Sequence, residues 1–356
     1  MATTPTKLLI AASGTGGHLF PAIATAERLA DYNIEWLGVP NRMETQIIKD
    51  RYPLHTISVE GFQQRLGIGT LKIASRLVSS VFQVRRLLKT RQFHGVFSTG
   101  GYIAAPAILA ARSLGLPVIL HESNALPGKV TRTFSRFCDV VAVGFDKSAQ
   151  YLPHAKTVCV GTPVRSQFLE NPPIDVSIPE NAPLIVVAGG SQGAVAVNQL
   201  VRQCANAWID AGAWIFHQTG ENDPDAESFE HPHYISQPFY QNMAGLFHRA
   251  TLAISRAGAG TLTELAVTRT PSILIPYPFA AEDHQAYNAS VFSDAGAALV
   301  YRQEKLTAEE LQSQVLELLQ SPEILPKMAE ATGNLAVPDS GDRLAQLVRD
   351  LVKPVK

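Results

Sequence analysis

Three glycine-rich stretches of this 356-residue chain have the composition of anion-binding loops. Each follows a short aliphatic run and precedes a helical pattern, at 13–18, 98–102 and 188–194. Glycines let the backbone turn tightly and bring amide N–H groups and the positive end of a helix against an anion, usually a phosphate. Three such loops predict two phosphorylated ligands. His18, directly after the first loop, can accept a proton near neutral pH.

Two common nucleotide-binding motifs are excluded by their spacing. The dinucleotide fingerprint needs a third glycine where the chain has Leu19, and an acid where it has Gly38-Val39-Pro40. The ATP-type loop needs Gly-Lys-Ser/Thr, which the sequence lacks. We therefore set NAD and ATP aside. Glycine turns that serve packing alone remain the alternative for any single loop.

Two further polar stretches follow aliphatic runs in the second half. The stretch 255–264 opens a helix, and Glu264 lies one turn into it, where a carboxylate can accept hydrogen bonds from two ribose hydroxyls. In the next stretch, His284 and Gln285 can donate to and accept from sugar hydroxyls. Taken alone, Glu264 could instead be an acid near the start of a helix that interacts favourably with the helix dipole.

Neither candidate metal motif has the expected context. Asp223-Pro224-Asp225 resembles the Asp-x-Asp that holds a metal and a nucleotide sugar in some transferases, but its acid-rich loop favours a simple turn. His231 and His233 have no cysteine or third histidine at ligand spacing. The sequence therefore predicts no metal site and no cofactor.

Aliphatic runs alternate with helical patterns in both halves of the chain. The alternation predicts βαβ units with mostly parallel sheets, so the fold class is α/β. Predicted strands lie at 7–13, 34–39, 54–59, 95–100, 117–122, 140–144, 156–161, 184–189, 213–219, 233–236, 252–255, 272–276 and 297–301. The proline-rich stretch 163–183 predicts domains at 1–163 and 164–340, with a final helix in 341–356 as a candidate to pack back on the first domain.

Charge is unevenly distributed although the net charge is only −1. Residues 1–165 contain 19 Lys and Arg against 9 Asp and Glu, and 61–121 contains eight basic side chains and no acid. The helical pattern at 70–91 fits either a core helix with a solvated basic face or a surface that contacts an anionic membrane. No apolar run reaches the roughly 18 residues of a membrane span. Three cysteines without metal-ligand spacing fit reduced thiols.

Seven ordered motifs together resemble the MurG family, the peripheral-membrane N-acetylglucosaminyltransferases of peptidoglycan synthesis. They cover nearly the whole chain and lie at 14–21, 99–102, 121–124, 161–165, 189–194, 256–264 and 284–289. The resemblance implies glycosyltransferase family 28 and a GT-B fold, in which two Rossmann-like domains face each other across a cleft. It implies inverting, metal-independent transfer of GlcNAc from UDP-GlcNAc to the 4-hydroxyl of MurNAc in undecaprenyl-diphospho-MurNAc-pentapeptide (lipid I), giving lipid II.

The resemblance also implies which residues bind the two substrates. Donor-binding residues would be Thr15, Gly16, Gly17, Asn124, Arg165, Ser191, Gln192, Gly193, Phe239, Tyr240, Arg256, Gly260, Thr261, Glu264, His284 and Gln285. Acceptor-binding residues would be Gly14, Thr15, Gly16, Gly17, Gly100, Gly101, Tyr102 and Asn124.

Several donor residues have specific roles by the same resemblance. Ser191 and Gln192 would contact the phosphates, with Arg165 and Arg256 near the diphosphate. Phe239 would lie against uracil while Tyr240 offers its backbone, and Glu264 would hold ribose. His284 and Gln285 would hold GlcNAc, although some relatives have Gln-Gln at this pair.

Inverting transfer needs a base on the acceptor hydroxyl. His18 is the first candidate and Glu122 the second; alternatively, His18 orders the first loop or binds phosphate. The basic, apolar segment 65–91 would lie on the anionic inner leaflet, which implies a peripheral protein at the cytoplasmic face of the bacterial inner membrane. No nucleic-acid partner is expected.

Other functions stay open at this point. One is a GT-B glycolipid synthase that moves a sugar from a UDP-sugar to diacylglycerol. A second is a UDP-GlcNAc 2-epimerase, which needs carboxylates near C2 and C3 of the sugar. A non-catalytic UDP-sugar binding subunit is the third.

Overall fold

The computed structural model describes residues 5–59, 68–190 and 193–354, with side chains in the second range from 75 onward. The chain divides into two compact units. Unit 1 comprises Met1–Arg165 and Pro338–Lys356, and unit 2 comprises Ser166–Val337. The predicted boundaries at 163 and 340 lie within three residues of these junctions.

Within the described residues, unit 1 is built on a seven-stranded parallel sheet with the order β3-β2-β1-β4-β5-β6-β7. Its strands are β1 Thr6–Ala11, β2 Tyr32–Gly38, β3 Leu54–Thr56, β4 Gly95–Ser98, β5 Val118–Glu122, β6 Val140–Val143 and β7 Thr157–Cys159. Leu8 and Ile10 point into one apolar core while Leu9 and Ala11 point into another. Burial of both faces explains why these strands read as continuous aliphatic runs.

Helices cover both faces of this sheet. They are α1 Gly16–Ala26, α2 Glu44–Ile47, α3 Ile68–Arg91, α4 Ala104–Arg112, α5 Lys129–Phe134 and, from the end of the chain, α12 Ser340–Leu351. Leu344 and Val348 of α12 are buried in the core that contains Leu19 of α1. Arg349 donates to the Asp31 carboxylate at 2.9 Å. The final helix is therefore part of unit 1.

The sheet of unit 2, as far as the structure describes it, has six parallel strands in the order β10-β9-β8-β11-β12-β13. The strands are β8 Leu184–Ala188, β9 Trp214–Gln218, β10 Tyr234–Gln237, β11 Leu252–Ser255, β12 Ser272–Leu274 and β13 Ala298–Val300. The helices are α6 Val195–Asp210, α7 Met243–Arg249, α8 Ala259–Thr268, α9 His284–Asp294, α10 Ala308–Gln320 and α11 Ile324–Asn334. All predicted strands of both halves are present, in the predicted α/β class.

Parallel strands place the loops that follow them at one edge of each sheet, where ligands bind in α/β folds. In unit 1 this edge carries the loops after β1, β4 and β5, and in unit 2 those after β8, β9, β10, β11, β12 and β13. Across the described ranges, no helix is both long and apolar enough to cross a membrane.

Candidate functional site

The loop between β11 and α8 presents an open helix amino terminus. Gly258 is the N-cap of α8, and a Cβ atom at Gly258 or Gly260 would meet nothing within 4 Å. The first amides of a helix have no partner within the helix and point outward with its positive dipole end. Thr261 and Glu264 follow on this helix, both half-buried. The terminus can therefore hold a phosphate, with a carboxylate one turn away.

The glycine loop after β8 is held tightly by its own backbone. Gly190 and Gly193 have φ angles of 89° and 77°, which favour glycine. The Gly193 amide donates to the Gly190 carbonyl at 3.0 Å, and a Cβ at Gly193 would collide with the Thr219 carbonyl. Ser191 and Gln192, the predicted phosphate contacts in this loop, lie outside the described residues.

A pocket of about 390 Å³ lies beside the end of β10. It is lined by Asp175, Val176, Gln237, Phe239, Tyr240, Gln241 and Asn242. The Phe239 side chain is 54% exposed, so one aromatic face is available to a flat ligand. Tyr240 is buried, its ring packs against Phe216, and its hydroxyl donates to the Asp175 carboxylate. Burial raises the pKa of Tyr240 to about 12.

Gln218 links this pocket to the glycine loop. Its amide nitrogen donates to the Gly190 carbonyl at 3.4 Å, and its Oε1 accepts from the Tyr240 amide at 3.2 Å. Tyr240 was predicted to offer its backbone to uracil, and the N–H group of that backbone already has a protein partner. Sequence reasoning missed Gln218, although its position at the end of a predicted strand beside Thr219-Gly220 was a usable signal.

The pair predicted to hold GlcNAc has defined hydrogen-bonding directions. His284 donates from Nδ1 to the Ala281 carbonyl at 2.9 Å, which leaves Nε2 as an acceptor in the neutral ring. Oε1 of Gln285 accepts from the amides of Ala257 and Tyr277, at 3.2 and 2.9 Å. Since both neighbours are donors, the Gln285 NH₂ group points away from them and can donate to a hydroxyl.

Arg256 joins strand ends in this structure. Its NH1 group donates to the Ile275 and Pro276 carbonyls, at 3.0 and 3.3 Å, and its NH2 group donates to Gln303 Oε1 at 2.6 Å. Burial lowers the pKa of this guanidinium. A guanidinium has five N–H donors, so these bonds hold the loops after β12 and β13 and leave the contact of Arg256 with the donor diphosphate a prediction.

Asp223 of the Asp-Pro-Asp motif lies in a buried polar network. Its carboxylate accepts from Arg202 at 2.8 and 3.2 Å and from Asn198 at 2.7 Å. Asn198 Oδ1 accepts from His217 Nε2, and His217 Nδ1 accepts from the Tyr234 hydroxyl. Burial lowers the pKa of His217 to about 3. These bonds use the Asp223 oxygens for structure.

In unit 1, His18 lies between the first two glycine loops. Its Nδ1 atom donates to the Thr99 carbonyl at 2.7 Å, and the Thr99 hydroxyl donates to the His18 carbonyl at 2.8 Å. Cβ atoms at Gly100 and Gly101 would lie 3.5 and 3.6 Å from the ring. Both glycines also have positive φ, at 91° and 73°. The second loop is therefore shaped around the imidazole, whose neutral form carries a lone pair on Nε2.

A buried carboxylate holds the first glycine loop. Glu44 is 0% exposed, and its oxygens accept from the Gly14 amide at 3.3 Å and the Val39 amide at 2.8 Å. Gly14 was predicted to bind the acceptor, but its amide already serves the loop itself. Helix geometry leaves the amides of Gly16 and Gly17, in the first turn of α1, as the candidates for an anion. Glu44 carried no signal in the sequence.

Glu122, the second candidate base, has a structural role. Its Oε1 accepts from the amide and the side chain of Asn124, both at 3.0 Å. Its Oε2 accepts from the Gly128 amide at 3.0 Å and the Thr131 hydroxyl at 2.7 Å. A buried carboxylate with four donors has no lone pair free for a substrate proton. This corrects Glu122 as a base and makes it the anchor of the loop after β5.

Four further predicted residues lie on this edge of unit 1 or beside it. The Arg165 guanidinium lies 4.8 Å from the centre of the Phe20 ring, so it belongs to unit 1 although it was placed in the second domain. Tyr102 is 44% exposed next to Gly101. Asn124 follows β5 and is oriented by Glu122, and Thr15 is the N-cap of α1.

The exposed face of α3 combines apolar and basic side chains. Val78 and Phe82 are 54% and 66% exposed, and Arg86 and Lys89 are exposed on the same helical stripe. The opposite face packs into the core through Val84 and Leu88. Residues 60–67, which include Arg65 of the predicted membrane segment 65–91, lie outside the described residues.

Comparisons with known proteins cover both units. The glycosyltransferase family 28 N-terminal domain matches residues 8–143, and the family 28 C-terminal domain matches residues 184–344. Two relatives are called UDP-N-acetylglucosamine--N-acetylmuramyl-(pentapeptide) pyrophosphoryl-undecaprenol N-acetylglucosamine transferase, from Nostoc punctiforme and Trichormus variabilis. They are 65% and 67% identical to this chain, over 99% of this chain and 100% of each relative.

A solved structure is similar to this chain over nearly its full length. The crystal structure of Acinetobacter baumannii MurG is similar with a TM-score of 0.79 and 30% identity, over 97% of this chain and 100% of that one. The likeness confirms the predicted GT-B class of two α/β domains with parallel sheets. Since both halves match the two domains of one family over nearly their full length, the chain belongs to glycosyltransferase family 28.

Proposed function

We propose that this protein transfers GlcNAc from UDP-GlcNAc to the 4-hydroxyl of MurNAc in lipid I, which gives lipid II for peptidoglycan synthesis. The names of its 65–67% identical relatives support this reaction. The observation that carries it in the structure is the carboxyl edge of the unit 2 sheet. There an aromatic wall, an open helix terminus and two oriented hydrogen-bonding side chains, His284 and Gln285, occur on one edge, as a nucleotide sugar requires.

Each part of the donor has a matching group in unit 2. Uracil lies against Phe239, whose ring is more than half exposed. The diphosphate meets the first amides of α8 near Thr261, and Glu264 accepts from the ribose hydroxyls. GlcNAc hydroxyls donate to His284 and accept from the NH₂ group of Gln285.

Unit 1 binds the acceptor and supplies the base. His18 accepts the proton of the acceptor hydroxyl at Nε2, because Nδ1 is committed to the Thr99 carbonyl. Amides at Gly16 and Gly17 face the acceptor diphosphate, and the fixed backbone of Gly101 and the exposed ring of Tyr102 complete this side.

The reaction is a single displacement at C1 of GlcNAc. The acceptor oxygen forms a bond to C1, the bond from C1 to the UDP oxygen breaks, and the proton passes from the hydroxyl to His18. The α linkage of the donor becomes β. The amino terminus of α8 stabilises the charge that develops on UDP, so the step needs no metal on this account.

The same proposal places the protein on a membrane surface. The α3 face formed by Val78, Phe82, Arg86 and Lys89 offers two apolar side chains followed by two cations, which suits an anionic leaflet. Lipid I resides in such a membrane, so we infer peripheral attachment at the cytoplasmic face.

The test compares acceptors with one labelled donor. Purified protein, UDP-[¹⁴C]GlcNAc and a lipid I analogue should give a labelled disaccharide lipid, with or without EDTA. Diacylglycerol as the acceptor should give no labelled lipid, and incubation without an acceptor should give no free ManNAc. Product on diacylglycerol would favour the glycolipid synthase, and ManNAc would favour the epimerase.

A further inference from the structure

Two residues with left-handed backbone conformation stand directly before the proposed sugar-binding pair. Glu282 and Asp283 have φ angles of 52° and 57°. Residues with a Cβ adopt this region rarely, and two in succession need surrounding contacts to hold them. The direction in which α9 begins, and with it the placement of His284 and Gln285, depends on this short segment.

Arg302 supplies a side-chain contact to the segment. It follows β13 by two residues, and its NH1 and NH2 groups donate to the two oxygens of Asp283, at 2.8 and 2.7 Å. The guanidinium lowers the pKa of the Asp283 carboxyl, which is therefore ionised at neutral pH. A two-pronged pair fixes orientation as well as distance, which a single contact does not.

The next residue holds the other end of the same loop. Gln303 accepts from Arg256, and Arg256 donates to the carbonyls of Ile275 and Pro276, where the loop leaves β12. Arg302 and Gln303 thus hold the loop after β12 at both of its ends. Neither residue belongs to the donor-binding set predicted from the sequence.

We propose that Arg302 is a positioning residue for the GlcNAc part of the donor. Through Asp283 it sets the start of α9, so that Nε2 of His284 and the NH₂ group of Gln285 face the sugar. It makes no contact with uracil, ribose or phosphate in this scheme. The inference rests on the proposed function and adds a determinant of sugar binding to it.

The test separates the sugar from the nucleotide by calorimetry on the full chain. Arg302→Gln should weaken UDP-GlcNAc binding about tenfold, the scale of one or two lost hydrogen bonds. Its affinity for UDP, which lacks the sugar, should stay within about twofold. Arg302→Lys, which keeps the charge without the fork, should fall between Arg302→Gln and wild type. Arg343→Gln is the matched control, because Arg343 forms an ion pair of similar exposure with Asp339 on α12.

A charge swap provides the rescue. Asp283→Arg alone should lose UDP-GlcNAc affinity, and Asp283→Arg combined with Arg302→Asp should regain most of it. Equal losses for UDP and UDP-GlcNAc, an unchanged UDP-GlcNAc affinity in Arg302→Gln, or a swap no better than the single variants would each overturn the proposal. If the variants lose UDP-GlcNAc affinity as expected but the wild-type protein does not transfer GlcNAc to a lipid I analogue, the proposed reaction is refuted and the role of Arg302 in sugar binding stands.

Discussion

Nδ1 of His18 lies 2.7 Å from the carbonyl oxygen of Thr99, 81 residues away in the sequence. A carbonyl can only accept, so this contact places the imidazole proton on Nδ1 and the lone pair on Nε2. The Thr99 hydroxyl returns a hydrogen bond to the His18 carbonyl, so backbone and side chain are fixed together. This arrangement fixes the orientation of the imidazole and leaves Nε2 as its acceptor atom, as the proposed base requires.

Replacement of His18 should therefore slow the chemical step. We expect His18→Ala and His18→Gln to lower kcat about 10²- to 10⁴-fold, the usual contribution of a general base. The KM values for both substrates should change by less than about threefold, because the imidazole acts in the transition state and does not contribute to binding of the ground-state substrates. Steady-state kinetics on a lipid I analogue measures this, with His154→Ala, an exposed histidine of unit 1, as the control. A loss below about tenfold would exclude the base role, and a rise confined to the acceptor KM would indicate phosphate binding.

Glu122→Gln should affect stability more than catalysis. In the wild type each oxygen of Glu122 accepts from two donors, and the substitution replaces one of these oxygens with an NH₂ group, which cannot accept. Two donors lose their acceptor, so the free energy of unfolding should fall by about 2–4 kcal/mol. Urea unfolding of Glu122→Gln and of Asp50→Asn, an exposed acid of unit 1, gives the comparison. The kcat of the folded variant should stay within about threefold of wild type. Unchanged stability with kcat about a hundredfold lower would restore Glu122 as a base.

Mild acid should destabilise the fold through buried neutral histidines. His217 has a pKa of about 3 in the folded protein against an ordinary value of 6.5, and burial also lowers the pKa of His121. Below pH 6.5 the unfolded chain binds more protons than the folded one, so stability falls as the pH decreases toward 3. Each such group contributes a slope of about 1.4 kcal/mol per pH unit.

Urea unfolding between pH 7 and 5 measures this slope. His217→Gln keeps a donor and an acceptor but cannot titrate, so its stability should depend less steeply on pH than that of wild type, even if it is lower at pH 7. If the free energy of unfolding of the variant depends on pH as steeply as that of wild type, His217 does not change its protonation between the folded and unfolded states.

Phe82→Glu should reduce membrane attachment without affecting folding. Phe82 is 66% exposed, so its loss costs the core little, but a charge there removes apolar contact with lipid and repels anionic headgroups. We expect binding to phosphatidylglycerol vesicles to weaken at least about tenfold, given the roughly 1.5–3 kcal/mol from burying a phenylalanine. Ile324→Glu, on α11 of unit 2 and 38% exposed, should bind vesicles like wild type. Equal weakening by both variants would argue against a specific α3 surface.

The sequence predicted strands and glycine loops well because their signals are local. A buried parallel strand is an aliphatic run, and a glycine pair such as Gly100-Gly101 marks where it turns into a helix. The carboxyl-edge position of Thr261, Glu264 and Gln285 follows directly from the strand that precedes each one.

The partners of individual polar groups were not predictable in the same way. Glu44 reaches the Gly14 amide from 30 residues away, and Gln303 reaches Arg256 from 47 residues away. Such contacts depend on tertiary packing, and nothing in the local composition of either residue indicates them. For this reason the sequence offered Glu122 as a base, whereas its four hydrogen bonds make it part of the scaffold. The sequence also gave no sign that Arg256, a predicted phosphate contact, holds two loops.

On the proposed function, the donor diphosphate binds at the amino terminus of α8 in unit 2. Amide hydrogen exchange with and without saturating UDP-GlcNAc tests this most directly, because it reports each backbone segment separately. We predict slower exchange at 258–264, 239–240 and 276–285, with 14–17 unchanged by the donor alone. Slower exchange confined to 14–17, with 258–264 unaffected, would contradict it.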